Sequence, residues 1–258
     1  MPTLPTLPTL PTLPTLPTLF PATFVKRYKR FFADVIDCQG DLVTLHCPNT
    51  GSMKCCQVEG SSCWYSLSDN PKRKLPGTLE IVTTSYGNLA GVNTVRANHL
   101  VRQAIDSGVI EELACYDQVT AEVPYGEEKS RIDFLLKDSA GGLRDCYVEV
   151  KSVTMDMGKG LATFPDSVTS RGTKHLRELI SMAESGHRAI LLFCVQLTNV
   201  ERMEVAADID PVYAQTLTLA ISRGVEVMAW GAKISAEEIV LHKSINCLQD
   251  LPTLEREG

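Results

Sequence analysis

An almost unbroken apolar run, Ala189–Leu197, sets the class of fold for the second half of the chain. A strand that is apolar at successive positions must be covered on both faces, as the central strands of α/β sheets are. Helical spacing flanks this run on both sides: Thr173–Ala183, with Thr173 as the predicted N-cap, and Pro211–Ser222, which Gly224 ends. We therefore predict a mixed α/β domain over residues 92–245.

The same domain contains further helix and strand patterns. The apolar residues of Asn93–Leu113 have helical spacing. Strands are predicted at Thr120–Pro124, Arg131–Leu136 and Cys146–Val153, with a final strand at Val225–Trp230. A long connection, Thr154–Gly172, follows the third of these strands, and loops of such length often cover a neighbouring site.

Residues 22–91 have a different pattern, in which short strand-like runs alternate with turn residues. The predicted strands are Thr23–Ile36, Leu42–His46, Ser62–Leu67, Thr78–Thr84 and Leu89–Val92. Many short strands in so short a segment are typical of a small barrel or a sandwich. The expected fold class of the whole chain is thus α+β or mixed α/β.

The N-terminus consists of six copies of Pro-Thr-Leu over residues 2–19. A proline at every third position disfavours helices and central strands and favours polyproline II. In that conformation the leucines would form one stripe, which could be a docking strip. The simpler interpretation is a disordered repeat tail over residues 1–21, separate from the fold, and residues 246–258 are predicted as a C-terminal tail.

Hydropathy and cysteine content together predict a cytoplasmic protein. The chain contains no run of 18 apolar residues, the length that a membrane span needs, and the N-terminus lacks the features of a secretory signal. The nine cysteines are odd in number and do not form paired C-x-x-C units, so we expect reduced thiols and a cytoplasmic protein. A metal cluster between Cys47 and Cys63 is the alternative.

Two predicted strands carry the candidate catalytic residues. Alternate side chains of a strand share a face, so Glu149 and Lys151 point the same way. If the strand that contains Asp133 pairs with theirs, the three side chains converge. Two carboxylates suit Mg²⁺ or Mn²⁺, and a lysine beside them can position water and stabilise developing charge. Glu122 could add a metal contact. The alternative is an ordinary half-exposed strand without a catalytic role.

Basic residues predict contacts to nucleic acid, although the net charge of the chain is −6. Residues 20–91 carry a charge of +2 and residues 92–258 a charge of −8. A local basic patch can attract phosphate on an acidic protein, and neighbouring aromatics can stack on bases. The candidate DNA-binding residues are Lys26, Arg27, Lys29, Arg30, Lys72, Arg73, Lys74, Lys174 and His175. A solvated strand face is an equally good interpretation of the first cluster.

Several separated motifs, in order, resemble the sugar fermentation stimulation protein A family over residues 22–245. The matching segments are Arg27–Val35, His46–Met53, Ser130–Phe134, Val148–Thr154, Phe164–Val168 and Arg171–Leu176. The resemblance implies an N-terminal OB-like β-barrel over residues 22–91, followed by a PD-(D/E)xK nuclease-like α/β domain.

The same resemblance implies non-specific DNA binding and a link to the regulation of sugar metabolism, maltose in particular. On the family pattern Asp133, Glu149 and Lys151 fall on the nuclease triad. The expected function is Mg²⁺-dependent phosphodiester cleavage by a DNA-binding protein that has no membrane partner and could form oligomers. The alternative is a non-catalytic DNA-binding regulator that retains a nuclease fold.

Overall fold

Six strands form the first sheet of the computed structural model, which describes residues 16–247. They are β1 (Leu19–Tyr28), β2 (Phe32–Ile36), β3 (Leu42–His46), β4 (Ser62–Leu67), β5 (Gly77–Thr83) and β6 (Leu89–Gly91). The strand order is β3-β2-β1-β4-β5-β6, and β3 also pairs with β5 in parallel through His46 and Thr78. This additional pairing closes the sheet, so the predicted small barrel is confirmed.

The N-terminal part of the barrel differs from the prediction at two points. The single strand predicted over Thr23–Ile36 is two strands, because Lys29 and Arg30 adopt left-handed backbone conformations, with φ of 46° and 63°, and form a turn. In addition, β1 begins within the predicted tail. Pro21 lies where β1 pairs only with β4, a position that a residue without an N–H tolerates. Residues 1–15 of the tail lie outside the described residues.

The second domain contains three helices and two further sheets. Its elements are α1 (Arg96–Asp106), β7 (Gln118–Tyr125), β8 (Ser130–Lys137), β9 (Cys146–Val153), β10 (Met155–Asp156), β11 (Leu161–Phe164), α2 (Ser170–Glu184), β12 (Arg188–Val195), β13 (Arg202–Val205), α3 (Pro211–Ser222), β14 (Glu226–Ile234), β15 (Ile239–Ser244) and β16 (Asn246–Cys247). The large sheet has the order β15-β14-β12-β9-β8-β7, with β9, β12 and β14 parallel, and the small sheet has the order β10-β11-β13-β16. None of the helices between residues 16 and 247 has both the length and the hydropathy needed to span a membrane.

Strand β12 occupies the middle of the large sheet and is covered on both faces, as its apolar run predicts. Ile190 and Leu192 pack with α1, whereas Leu191 and Phe193 pack with α2 and α3. Burying such alternating side chains contributes roughly 2 kcal/mol per large residue. The expected mixed α/β architecture is therefore confirmed, and its central strand lies between α1 on one face and α2 and α3 on the other.

Several element boundaries differ from their predictions for local reasons. Helix α2 begins at Ser170 rather than at Thr173, because the Thr169 hydroxyl accepts the Gly172 N–H at 3.0 Å and caps the helix one turn earlier. Helix α1 ends at Asp106, and a separate 3-10 turn, Glu111–Leu113, follows it. Strand β14 is not final, since β15 and β16 follow, and β16 occupies the first positions of the predicted C-terminal tail. Residues 248–258 lie outside the described residues.

The predicted connection Thr154–Gly172 and the cysteines also take a definite structure. The connection contains β10 and β11, and β11 pairs with β13 in the small sheet. All nine cysteines are free, and Cys47, Cys55, Cys56 and Cys63 are buried in the barrel core. No group of three or more His, Cys, Asp or Glu within residues 16–247 is arranged to hold a metal ion, so the cysteine cluster is not supported.

A loop of the barrel, residues 47–53, joins the two domains and is called the barrel loop below. The Met53 N–H donates to Asp166 Oδ2 at 3.1 Å, and the Thr94 hydroxyl donates to the Pro48 carbonyl at 2.7 Å. Gly51 lies so close to Asp166 that a Cβ atom there would be 2.4 Å from its carboxylate. A side chain at position 51 would displace the Asp166 carboxylate, which together with Thr94 fixes the barrel loop against the second domain.

A buried ion pair ties the barrel to the start of α1. The carboxylate of Glu80, which is 2% exposed, accepts hydrogen bonds from Arg96 Nε at 2.6 Å and Arg96 Nη2 at 3.0 Å. Ser66 and Asn93 donate to the same carboxylate. Because every oxygen of Glu80 is satisfied, the buried charge is compensated and the orientation of α1 is set relative to β5.

Candidate active site

The pairing of β8 with β9 ends close to Asp133. The register runs from Leu136 opposite Cys146 to Phe134 opposite Val148 and stops there. Beyond that point the Asp133 carboxylate takes the place of a backbone partner: its Oδ2 accepts the Val150 N–H at 2.7 Å. Its Oδ1 accepts Asn98 Nδ2, from the first turn of α1, at 2.7 Å. Where the pairing ends, a space therefore opens between β8 and β9, and the Asp133 carboxylate occupies it.

Glu149 and Lys151 meet on the face of β9 that packs towards α2. Lys151 Nζ donates to Glu149 Oε1 at 2.6 Å. His175, in the second turn of α2, brings its Nδ1 into contact with the same carboxylate oxygen and to 3.2 Å from Lys151 Nζ. Together with Asp133 these three side chains line one cleft of about 330 Å³, called the acidic cleft below.

The two carboxylates of the acidic cleft have opposite pKa shifts. Burial raises the pKa of Asp133 to about 6, and the negative charge of Glu149 adds to this effect. Burial would also raise the pKa of Glu149, but the charge of Lys151 and the His175 contact outweigh it and leave that pKa below its usual value. At functional sites, two carboxylates with different surroundings often have pKa values that are shifted in opposite directions in this way.

The donor set of the acidic cleft fits a hard divalent cation. Glu149 is 2% exposed, and its Oε2 atom is buried without a hydrogen-bond partner within the described part of the chain. A cation beside that oxygen would satisfy it and would remove the part of the rise in the Asp133 pKa that comes from the charge of Glu149. With two protein carboxylates, the remaining ligands would be water and phosphate oxygens, the arrangement that Mg²⁺ prefers.

We expect Asp133→Asn to stabilise the fold at pH 8 in the presence of EDTA. The folded pKa of about 6 lies above the ordinary value of 3.8, so the ionised carboxylate destabilises the native state above pH 6 and this cost disappears towards pH 4. Removing the charge should raise the free energy of unfolding by about 2 kcal/mol at pH 8, because the Asn98 amide can turn so that its oxygen accepts from the new amide nitrogen while the Val150 N–H keeps an oxygen acceptor. Urea titrations between pH 4 and pH 8 measure the difference.

The control for this prediction is Asp106→Asn, which changes an exposed carboxylate on α1. It should shift the free energy of unfolding by less than about 0.5 kcal/mol at every pH. If the Asp133→Asn variant is no more stable than the wild type at pH 8, the ionised Asp133 carboxylate does not destabilise the native state.

The remaining predicted residues of the second domain divide between this cleft and the surface. Glu122, on β7, lines the acidic cleft with its side chain exposed and has a left-handed φ of 56°, but within residues 16–247 it does not form a group of three metal ligands with Asp133 and Glu149. His175, predicted as a DNA contact, is instead buried against Glu149, because α2 directs it inwards. Lys174 points away and donates to the Glu128 carbonyl. Sequence reasoning missed Asn98 and Arg171, which also line the cleft.

The structure separates the basic residues of the barrel into two groups. The Arg27 guanidinium donates to the carbonyls of Asn49, Gly51 and Ser52, so it organises the barrel loop instead of standing free for phosphate. Lys26 lies 3.8 Å from Asp34, and Arg73 donates to Thr78 at 2.8 Å. The remaining four cations are exposed and have no ion pair within residues 16–247: Lys29, Arg30, Lys72 and Lys74.

Comparisons with known proteins agree with this two-domain arrangement. The family model described as the SfsA N-terminal OB domain matches residues 25–92, and the one described as the sugar fermentation stimulation protein RE domain matches residues 95–238. The chain is 51% identical to sugar fermentation stimulation protein homologs of Saccharophagus degradans and Pseudomonas fluorescens, over 88% and 89% of this chain and 96% of each relative.

A solved structure is similar over nearly the whole chain. The structure of Pyrococcus furiosus SfsA in complex with Ca²⁺ superposes with a TM-score of 0.80 at 26% sequence identity. It covers 92% of this chain, and this chain covers 98% of that one. The similarity therefore includes both the barrel and the domain that carries the acidic cleft.

Proposed function

The chain belongs to the sugar fermentation stimulation protein family, and on that premise we propose that it binds DNA without sequence specificity and cleaves phosphodiester bonds with Mg²⁺ or Mn²⁺. The observation that carries the proposal is the convergence of Asp133, Glu149 and Lys151 in the acidic cleft. Two carboxylates and an ammonium group, at the end of a strand pairing, form a site for a cation, a phosphate and a water molecule.

A cation at the two carboxylates is supported by the chemistry of the cleft and by a relative. Glu149 Oε2 is a buried acceptor that lacks a donor within residues 16–247. The archaeal relative was solved in complex with Ca²⁺, which belongs to the same class of hard, oxygen-seeking cations as Mg²⁺. When bound, such an ion would neutralise charge on the attacked phosphate and lower the pKa of water.

The side chains around the carboxylates have separate roles in this proposal. Lys151, held by Glu149 at 2.6 Å, is an ammonium donor that orients the attacking water and stabilises negative charge on the phosphate. Asn98 keeps the Asp133 carboxylate in place through its 2.7 Å hydrogen bond. Exposed Arg171, at the edge of the cleft, can neutralise a phosphate oxygen of the bound strand.

Binding of DNA by the barrel is supported by the location of its free cations. Lys29 and Arg30 lie between β1 and β2, and Lys72 and Lys74 lie between β4 and β5. OB folds use these same two loops to bind oligonucleotides. The four cations can contact phosphates, which gives affinity without sequence specificity.

We expect the purified protein to nick supercoiled plasmid at low salt when Mg²⁺ or Mn²⁺ is added, and to stop when EDTA removes the ion. Asp133→Ala should abolish nicking while a gel-shift assay still detects the complex with DNA. The reason is that the cleft loses one of its two carboxylates whereas the barrel cations are untouched. Agarose gels of the nicked and supercoiled forms measure the rate.

DNA binding without cleavage of either the plasmid or a single-stranded oligonucleotide, in either metal, would contradict the catalytic proposal and favour a regulator that retains a nuclease fold. In both cases we place the protein in the cytoplasm, where its nine free cysteines would stay reduced. The name of the relatives, sugar fermentation stimulation protein homolog, supports a link to sugar metabolism, for which we propose maltose, with DNA as the direct ligand.

A further inference from the structure

We infer that the substrate is single-stranded DNA, held along a continuous path from the end of the barrel to the acidic cleft. The inference rests on the proposed function and specifies the form of DNA that the site accepts. The path has two parts. The first is the pair of loops around His46, and the second is a cleft between the two domains.

The two cationic loops of the barrel converge on His46, the last residue of β3. The Cys47 N–H donates to the Phe31 carbonyl at 2.8 Å, which brings the turn between β1 and β2 to this end of the barrel. From the loop between β4 and β5, Arg73 Nη2 lies 3.1 Å from His46 Nδ1. The exposed cations Lys29 and Arg30 therefore stand beside the Arg73 loop and can follow one sugar-phosphate backbone.

An exposed aromatic residue directly follows Lys29 and Arg30 in the chain. Phe31 is 44% exposed, although it neighbours Tyr28 and Phe32, whose rings stack on each other at 5.5 Å. An aromatic ring that reaches solvent between two loops with free cations can stack on a base. A duplex offers such a face only at its ends, whereas every base of a single strand can stack in this way.

Arg30 connects this end of the barrel to the cleft between the domains, called the interdomain cleft. It lines that cleft, whose volume is about 670 Å³, opposite residues of the segment from Thr163 to Arg171. The barrel loop forms the other wall and is held by Arg27 from one side and by Asp166 from the other. Because both walls are fixed by hydrogen bonds, the cleft exists before a ligand arrives.

The interdomain cleft opens directly into the acidic cleft. Four residues line both: Thr50, Thr94, Ser152 and Arg171. The Thr50 and Ser152 hydroxyls and the Arg171 guanidinium can donate to phosphate oxygens, whereas the Thr94 hydroxyl already donates to the Pro48 carbonyl at 2.7 Å. A strand that enters beside Arg30 can thus reach the carboxylates without leaving a surface of phosphate donors.

The burial of Glu149 disfavours an intact duplex as the substrate. Glu149 is only 2% exposed, so a phosphate must enter the cleft to approach it. A single strand can supply that phosphate, since its backbone is free to bend away from a partner.

The test is fluorescence anisotropy of the full-length protein in EDTA at low salt, with a labelled oligothymidylate and a labelled duplex of equal length. We expect the single strand to bind at least ten-fold more tightly than the duplex. Phe31→Ala should weaken single-strand binding about ten-fold through the loss of one stacked base. Tyr86→Ala, which removes another exposed aromatic ring on the loop between β5 and β6, should leave it unchanged.

A second variant tests the phosphate contacts of the same path. Arg30→Ala should weaken single-strand binding and flatten its dependence on salt by about one phosphate contact. Duplex binding that equals or exceeds single-strand binding, or a Phe31→Ala variant that binds normally, would overturn the inference even if plasmid nicking is observed. A preference for single strands without any metal-dependent cleavage would support the path and reject the catalytic proposal instead.

Discussion

Replacing Lys151 by alanine should slow DNA cleavage by a factor on the order of 10²–10³ while leaving DNA affinity within two- to three-fold of the wild type. The ammonium group is 2.6 Å from Glu149 and the side chain is 12% exposed, so in the proposed function it would contact the reacting phosphate and not the bulk of the bound DNA. Loss of an interaction that is made mainly in the transition state lowers the rate without lowering the affinity for DNA. Single-turnover cleavage of a labelled oligonucleotide, beside a binding titration in EDTA, measures both quantities.

Lys174→Ala is the matched control for this variant. Lys174 also lies at the edge of α2, but its Nζ donates to the Glu128 carbonyl outside the acidic cleft. Its loss should affect cleavage by less than about three-fold. Lys151→Arg should not restore activity, because a guanidinium is larger and does not present the same compact charge beside Glu149. Normal cleavage by Lys151→Ala would limit the lysine to a structural role.

Replacing Arg96 by methionine should lower the free energy of unfolding by about 3–5 kcal/mol, since it leaves the buried Glu80 carboxylate without its counterion. The effect should reach the active site too, because Asn98 lies in the same first turn of α1 and holds Asp133. Urea denaturation measures the stability. The double variant Glu80→Gln, Arg96→Met should recover part of the loss, because it removes the buried charge together with its partner.

Arg177→Met provides a control with the same bidentate geometry in a different environment. Arg177 donates to both oxygens of Glu128 at 2.9 Å, but the two side chains are 52% and 41% exposed. Such an exposed pair contributes at most about 1 kcal/mol, because water already solvates both charges. Equal losses for Arg96→Met and Arg177→Met would show that burial of Glu80 does not determine the strength of the pair.

The candidate active site was predictable as far as strand periodicity determines it. Alternation along β9 is a local property, so the common face of Glu149 and Lys151 follows from two positions of the sequence. The approach of Asp133 depends on the pairing of β8 with β9, which the order of strands suggests. Asn98 was not predictable, since nothing local to α1 indicates that its side chain reaches across to β8.

The basic residues show why surface assignments from sequence are less reliable than strand assignments. Arg27 and Arg30 are the same type of residue and are close in sequence. Because of the left-handed turn at Lys29, however, the Arg27 guanidinium lies against the barrel loop and Arg30 is exposed. The direction in which the His175 side chain points depends similarly on where α2 begins. Thr169 is the N-cap, but it is one of several residues in this segment that are suitable as an N-cap. Tertiary contacts decide such cases.

The contact of Gly51 with Asp166 has a consequence for how this protein can be taken apart. Neither domain carries both walls of the passage to the carboxylates, because one wall belongs to the barrel and the other to the segment that precedes α2. The barrel is therefore not an interchangeable part. A chimera with a foreign OB module would keep a basic surface and an intact acidic cleft, yet would lack the channel between them.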